Sequence, residues 1–179
     1  MKITNPEKLA KLVIETYLTS RRLPKIKANE VAPELTKQGA CFVTVYVGSQ
    51  LRGCIGSWRA FEPLYQNIIR HAIDAVSLDF RFPAITKAEL PKLKIEVSVL
   101  TPPKRWQPKN KEEMLAFLGK IKPGLVLEKA GQRALFLPQV WDDLPNPADF
   151  LSHLALKAGL KETVWQEPGV KFWIFRRSS

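Results

Sequence analysis

The sequence predicts an α+β fold in which helices flank a mainly antiparallel sheet. Helical patterns and strand pairs alternate along the 179 residues without the regular βαβα series that a parallel sheet requires. Two strand pairs, at 40–57 and 124–138, are separated by turns short enough for β-hairpins. Because no repeat or long linker interrupts the chain, we expect one domain over residues 1–179, with room for two lobes.

The first third of the chain predicts a helix followed by a hairpin. Asn5-Pro6 is typical of a helix start, an N-cap followed by proline, and apolar residues recur at helical spacing as far as Ser20. Residues 40–47 are rich in β-branched and aromatic side chains, which favour a strand. Gly48-Ser49 would then turn the chain into a second strand at 51–57.

The middle of the chain predicts two helices with a strand between them. Pro63 opens a helix with an apolar stripe, which ends before Asp79. Residues 93–101 alternate between apolar and polar side chains, the pattern of a half-buried strand. Asn110 begins a capping box, and we expect the helix after it to end at Gly119.

The last third predicts a hairpin, a helix and a final strand. The hairpin occupies 124–138. Asn146-Pro147 begins a helix that Gly159 ends, and residues 170–174 alternate as the last strand.

The composition indicates a globular chain with a basic surface. Hydrophobic residues make up 45% of the sequence, and no apolar run approaches the ~20 residues that span a bilayer. The N-terminus lacks the apolar stretch of a secretion signal, so we expect a cytoplasmic protein with no membrane association. The net charge of +11 is compatible with nucleic acid, an anionic substrate, an acidic partner or a generic basic surface.

Three basic segments make nucleic-acid binding one hypothesis. They are residues 21–27, residues 104–111 and Arg176-Arg177. Trp106 in the second segment would stack on a base while its basic neighbours contact phosphates. No recognised nucleic-acid motif is present, however, and charge runs are more often solvated surface.

The cysteine content argues against disulfides and metal. A two-residue turn at Gly48-Ser49 would place Val43 opposite Cys54, with Cys41 a diagonal neighbour about 7–8 Å away, so we expect free thiols. With His71 and His153 as the two histidines and no Cys/His cluster, a structural zinc site is not expected. Because a glycine-rich phosphate loop is also missing, the sequence implies no cofactor.

The most informative segment is Leu51-Arg52-Gly53-Cys54-Ile55-Gly56. Alternation along a strand would put Arg52 and Cys54 on one face, where the guanidinium favours the reactive thiolate. The two glycines leave backbone exposed or allow another segment to approach closely. The alternative is a tightly packed strand that holds an inert, buried cysteine.

Five segments together resemble the AMMECR domain family. They are residues 51–56, Asp79-Phe80-Arg81-Phe82-Pro83, residues 95–100, residues 136–140, and Phe150-Leu151 with Lys157-Ala158-Gly159-Leu160. In the second segment proline directly follows Phe82, whereas the family pattern has one residue between them. The resemblance implies an α+β fold with a larger and a smaller lobe and a cleft near the cysteine motif. It also implies a modification pathway, because prokaryotic members are often encoded with Memo-type and radical SAM proteins, which we expect as partners.

On this basis Cys54 is the candidate nucleophile or attachment point of an enzyme or carrier. Arg52 would stabilise its thiolate and hold an anionic group, and the amides of Gly53 and Gly56 would stabilise an oxyanion. Glu96 is the candidate base, because no histidine lies in a motif. A protein that presents substrate to its partners without catalysis would use the same cleft.

Asp79 and Arg81 are the remaining candidate binding residues, which the family motifs would bring near Cys54. The alternative for this pair is a local salt bridge that holds the loop, and the alternative for Glu96 is a cross-strand lysine partner. Some relatives carry a second cysteine where this chain has Ala155, so a two-thiol mechanism at that position is not available here.

Overall fold

A computed structural model describes residues 2–178, which form two compact units. The larger unit comprises residues 2–102 with Ser178, and the smaller comprises residues 103–177. Each unit combines helices with an antiparallel sheet, so the predicted α+β class is confirmed. Among the described residues, no helix combines the length and apolar character needed to cross a membrane.

The larger unit contains a sheet with the strand order β2-β1-β3, in which both pairs are antiparallel. Its elements are α1 (Pro6–Ser20), α2 (Pro33–Thr36), β1 (Ala40–Val47), β2 (Gln50–Gly56), α3 (Leu64–Ser77) and β3 (Leu93–Leu100). Short 3-10 turns occupy Ala28–Glu30 and Lys87–Lys92. The sheet places β2, which carries the cysteine motif, at one edge.

Helix α1 begins where the sequence predicts. The side chain of Asn5 accepts the backbone N–H of Lys8 at 2.8 Å, and Pro6 occupies the first helical position. The helix ends at Arg21, whose backbone is left-handed with φ 57°. The apolar sides of α1 and α3 join one face of the sheet in a core that includes Leu9, Val13, Ile14, Cys41, Val43, Val45, Ile68, Ala72 and Val97.

The sheet therefore has two different faces. Cys41, Val43 and Val45 point into the core beneath α1 and α3, on what we call the helix face. Because side chains alternate along a strand, Thr44 and its neighbours at even positions project from the other face. Thr44 pairs with Cys54 on β2 and with residue 96 on β3, so we call this side the Cys54 face.

A β-bulge alters the register that the sequence predicts for the hairpin. The strands pair across Gly48-Ser49 as expected, but Arg52 is an extra residue on β2 that shifts the pairing beyond it by one. The prediction that Val43 lies opposite Cys54 is therefore wrong, and Thr44 takes that position. The two cysteines consequently lie on opposite faces, and both are free thiols, as predicted.

The smaller unit contains a sheet with the strand order β4-β7-β5-β6. Its elements are β4 (Lys104–Trp106), α4 (Lys111–Ile121), β5 (Gly124–Lys129), β6 (Gln132–Phe136), α5 (Pro147–Lys157) and β7 (Lys171–Phe175). Short 3-10 turns occupy Pro138–Asp142 and Val164–Gln166. The segment predicted as a basic loop thus begins with a short strand.

Helix α4 continues past Gly119, where the sequence predicts its end. Asn110 caps the helix as predicted, because its side chain accepts the N–H of Glu113 at 2.8 Å. The helix ends only before Lys122, which is left-handed with φ 50°. A Cβ at Gly119 would lie 3.3 Å from Cγ of Pro147, so this glycine permits close approach between α4 and the start of α5.

Candidate functional site

The thiol of Cys54 is half-buried and contacts a hydroxyl across the strand pair. Its Sγ lies 3.3 Å from Oγ1 of Thr44, and either group can donate the hydrogen bond. Thr44 is buried, with 5% of its surface exposed. The thiol therefore has a polar neighbour that is held in place by the sheet.

Asp79 and Arg81 bind the backbone of Cys54 from the outer edge of β2. The N–H of Cys54 donates to Oδ2 of Asp79 at 2.8 Å, and Nη2 of Arg81 donates to the Cys54 carbonyl at 3.0 Å. Since β2 is an edge strand, these side chains satisfy backbone groups that have no strand partner on that side. We call the two residues the clamp.

The clamp is itself an ion pair with two hydrogen bonds. Nε of Arg81 donates to Oδ1 of Asp79 at 2.8 Å, and Nη2 donates to Oδ2 at 2.6 Å. The hydrogen bond from Arg81 is the main reason that the pKa of Asp79 is lowered, with a further contribution from the Cys54 amide and an opposing one from burial. The sequence predicts these residues near Cys54, and their contacts match its alternative of a local salt bridge.

The hydrogen bonds of Arg52 go to partners other than the Cys54 thiol. Its guanidinium donates to the carboxylate of Glu89 and, at 3.2 Å, to the carbonyl of Pro83. The bulge at Arg52 interrupts the simple alternation on which the prediction beside Cys54 depends. Arg52 therefore ties β2 to the segment after α3, and Thr44 is the neighbour of the thiol instead.

The two glycines of the motif serve close packing. Gly53 is buried, and a Cβ there would lie 1.9 Å from the carbonyl oxygen of Ala75 in α3. A Cβ at Gly56 would lie 2.4 Å from the carbonyl oxygen of Cys41 and from the ring of Phe42. The expectation of exposed backbone fails at Gly53, because α3 covers it.

Glu96 lies in the same cross-strand row as Cys54 but not beside it. Thr44 stands between them on β1, so about two strand spacings, or roughly 10 Å, separate their backbones. The Glu96 carboxylate pairs with Lys94 of its own strand at 2.7 Å, rather than with a cross-strand lysine. The carboxylate of Glu96 is thus held by Lys94, and the hydrogen-bonding neighbour of the thiol is Thr44.

Tyr46 is a further polar residue of the Cys54 face. Burial raises its pKa, the negative charges of Glu96 and of a Cys54 thiolate raise it further, and Lys94 lowers it. The phenol is therefore neutral at pH 7 and is able to donate a hydrogen bond. Lys94 lies over the Tyr46 ring, 5.6 Å from its centroid.

Sequence reasoning missed Thr44 and Tyr46. The period-two pattern of 40–47 does place both on one face, so the signal was present. Their relation to Cys54 depends on the bulge at Arg52, which shifts the register. Within residues 2–178, no group of three or more histidine, cysteine, aspartate and glutamate side chains is arranged to hold a metal ion.

Comparison with known proteins places the chain in a family. Protein MJ0810 of Methanocaldococcus jannaschii is 38% identical over 173 residues, which cover 93% of this chain and 83% of that protein. Protein MK0488 of Methanopyrus kandleri is 35% identical, with coverage of 94% and 82%. The crystal structure of the uncharacterized protein PH0010 from Pyrococcus horikoshii matches with a TM-score of 0.84 and 30% identity, covering 96% of this chain and 86% of that one. The family model AMMECR1 matches residues 7–179, and the chain belongs to the AMMECR1 family.

Proposed function

We propose that this protein takes part in a modification pathway in which Cys54 is the nucleophile or the attachment point for a substrate. Memo-type and radical SAM proteins are its partners in this proposal. The observation that carries it is the half-buried thiol whose Sγ lies 3.3 Å from the buried hydroxyl of Thr44. Cys41 has no such role, because it is enclosed in the core.

Thr44 supports the reactivity of Cys54 through this contact. A hydroxyl that donates to sulfur stabilises the thiolate, since hydrogen bonds to ionised groups are stronger than those between neutral groups. Burial and β-branching restrict the rotamers of Thr44, so little side-chain entropy is lost when the bond forms. The thiolate is the nucleophilic form of cysteine, which makes the pair suited to covalent chemistry.

The clamp supports the same function by fixing the backbone beneath the thiol. Asp79 and Arg81 hold the N–H and the carbonyl of Cys54, so the sulfur is carried by an ordered edge strand. Preorganised groups of this kind reduce the ordering that a reaction requires. Arg52 and Glu96 border the site in the proposal without contacting sulfur.

Exposed apolar side chains beside the clamp favour a protein partner. Phe80, between the two clamp residues, is 94% exposed, and Leu78 is 68% exposed. Large apolar side chains clustered on a surface mark interaction sites more often than isolated ones do. A partner that covers them would approach the segment that positions Cys54.

Alkylation of the intact protein tests the proposal. We expect iodoacetamide to modify Cys54 stoichiometrically in the folded protein near neutral pH, while Cys41 is modified only after unfolding, as read for each cysteine by mass spectrometry. Thr44→Val removes the hydroxyl at nearly constant volume and should slow the alkylation of Cys54 about fivefold. Thr16→Val, at a half-buried site on α1 where the hydroxyl donates to the carbonyl of Leu12, is the matched control and should leave the rate unchanged.

The Cys54→Ser variant separates a covalent role from a presenting one. A variant that binds a purified Memo-type protein normally but no longer supports modification in the reconstituted pathway would support covalent participation. Retention of both binding and modification would instead favour a protein that only presents substrate. A Cys54 thiol that stays inert to iodoacetamide until the protein unfolds would contradict the proposal directly.

A further inference from the structure

We propose that the smaller unit binds a small organic anion, a carboxylate or phosphate carried on an aromatic ring, in a cavity bounded by residues 105–111 and 165–170. The cavity has a volume of about 680 Å³. Sites for small molecules occupy about 300–1,000 Å³, so a ring with one charged substituent fits. This inference rests on residues 103–177 alone and is independent of the role proposed for Cys54.

The wall of the cavity is aromatic and apolar. Its apolar lining residues include Trp106, Met114, Trp165, Val170 and Phe172. The Trp106 ring is held by Phe117 at 4.9 Å and Phe172 at 6.0 Å between ring centroids. The indole is thus half-buried in the unit and presents a fixed surface to the cavity rather than a mobile stacking platform.

Two lysines accompany this wall, and a further cation, Arg105, packs over the Trp173 ring, 4.9 Å from its centroid. Nζ of Lys111 lies 3.1 Å from Oε1 of Gln166 and 5.4 Å from the centroid of the Trp165 ring. Nη1 of Arg105 donates to the carbonyl of Phe172 at 3.0 Å, and Lys109 is exposed. Within residues 2–178, neither lysine forms an ion pair with a carboxylate, so the charges of Lys109 and Lys111 are available to an anion.

The acidic residue that lines the cavity does not neutralise these cations. Glu167 pairs instead with Lys129, which is not among the lining residues. The hydrogen bond and the charge of Lys129 lower the pKa of Glu167, so its carboxylate is ionised and already paired with a cation. The described lining of the cavity therefore carries an excess of positive charge.

The combination of wall and charge defines the ligand class. An inorganic anion would meet the cations but leave the indole surface uncovered, and a neutral aromatic would cover the indole but leave the cations unpaired. A ring with an anionic substituent satisfies both, through aromatic contact and charge-assisted hydrogen bonds. A ring that carries an anionic group occurs in free aromatic acids, in mononucleotides and in single-stranded nucleic acid.

Titration of the full-length protein, followed through its tryptophan indole N–H signals by NMR, tests the inference. We expect phenyl phosphate and adenosine 5′-monophosphate to shift the Trp106 and Trp165 signals saturably, while Trp58 of the larger unit serves as the internal reference. Inorganic phosphate and benzyl alcohol should bind at least about tenfold more weakly, because each provides only half of the contact. Lys111→Gln should weaken the binding of phenyl phosphate about tenfold, whereas Lys120→Gln on the same helix should leave this affinity unchanged.

An oligothymidylate distinguishes the sources of the ligand. Binding through the same indole signals that is tighter than that of the mononucleotide and falls steeply with salt identifies a nucleic-acid strand as the source. Selective binding of the small anions identifies a free metabolite. The inference is wrong if no ring-bearing anion shifts Trp106 or Trp165 at about 10 mM, or if Lys111→Gln binds phenyl phosphate as the wild type does.

Discussion

Cys41 and Cys54 lie on opposite faces of the same three-stranded sheet, and their surroundings differ completely. Cys41 has no exposed surface, and its N–H and Sγ both donate to Oδ1 of Asn67, at 3.0 and 3.3 Å. Burial raises the pKa of the Cys41 thiol to about 12. Cys54 is half-buried beside the hydroxyl of Thr44. The face to which each cysteine points therefore decides whether its thiol is enclosed in the core or remains partly exposed.

The same division applies to the rest of the sheet. On the helix face, Gly53 lies against the backbone of α3 so closely that no side chain fits. On the Cys54 face, Thr44, Tyr46 and Glu96 supply polar side chains, and Phe42 is an apolar one. We infer that the helix face contributes most of the stability of this sheet.

The largest expected effect comes from adding one methyl group to the helix face. Gly53→Ala would place a Cβ 1.9 Å from the carbonyl oxygen of Ala75, a backbone atom within α3 that cannot move alone. We expect the free energy of unfolding to fall by about 3 kcal/mol or more in urea denaturation. Cys54→Ala, one residue further on the other face, should cost about 1 kcal/mol or less. Equal stability of the two variants would refute the division between faces.

A smaller effect follows from the titration of Cys41. Because the pKa of this thiol is higher in the folded state than the value of about 8.5 in the unfolded chain, its contribution to stability is complete below that value and is lost as the pH rises towards 12. The free energy of unfolding of the wild type should therefore fall relative to Cys41→Ala by about 1.4 kcal/mol per pH unit above pH ~9. Urea denaturation from about pH 8 to pH 10 measures this slope.

Cys54→Ala is the matched control for that slope. It keeps Cys41, so its stability should fall with pH as the wild type does. If the difference in free energy of unfolding between wild type and Cys41→Ala stays constant with pH, Cys41 is not held neutral in the folded protein.

Much of the fold could be predicted because local signals mark the ends of its elements. Asn5-Pro6 starts α1, and the β-branched run at 40–47 coincides with β1. Two predictions, the end of α4 and the register of the β1–β2 hairpin, failed because local sequence does not determine them. Gly119 is a weak helix terminator that α4 tolerates because Pro147 lies against it, and the bulge at Arg52 leaves no mark in a pattern of alternating residues.

The motif locates the candidate site but does not predict its contacts. The glycines around Cys54 point to that residue, and the family resemblance points to Asp79 and Arg81. The partner of Arg52 is Glu89, 37 residues away, and spacing along the chain does not specify such a pair. Thr44 was missed because a one-residue error in register moves every cross-strand neighbour.

The smallest expected effect concerns the clamp, which distinguishes Cys54 from Cys41 at the level of the backbone. Asp79→Asn keeps an oxygen for the Cys54 N–H but removes the charge that Arg81 binds, and Arg81 is partly exposed, so we expect a loss of about 1–2 kcal/mol at pH 7. Because the pKa of Asp79 is lowered in the folded state, this contribution is present above the unfolded value of about 3.9 and is lost as the pH falls below it.

The difference in free energy of unfolding between wild type and Asp79→Asn should therefore shrink below pH ~4. Glu96→Gln, on the Cys54 face, should change neither the free energy of unfolding nor its pH dependence appreciably. Hydrogen exchange provides the site-specific readout. Loss of the ion pair should speed exchange at the Cys54 amide and leave the Cys41 amide, which Asn67 holds, protected. If both amides respond equally, the clamp stabilises the whole sheet, and the two cysteines differ only in their side-chain surroundings.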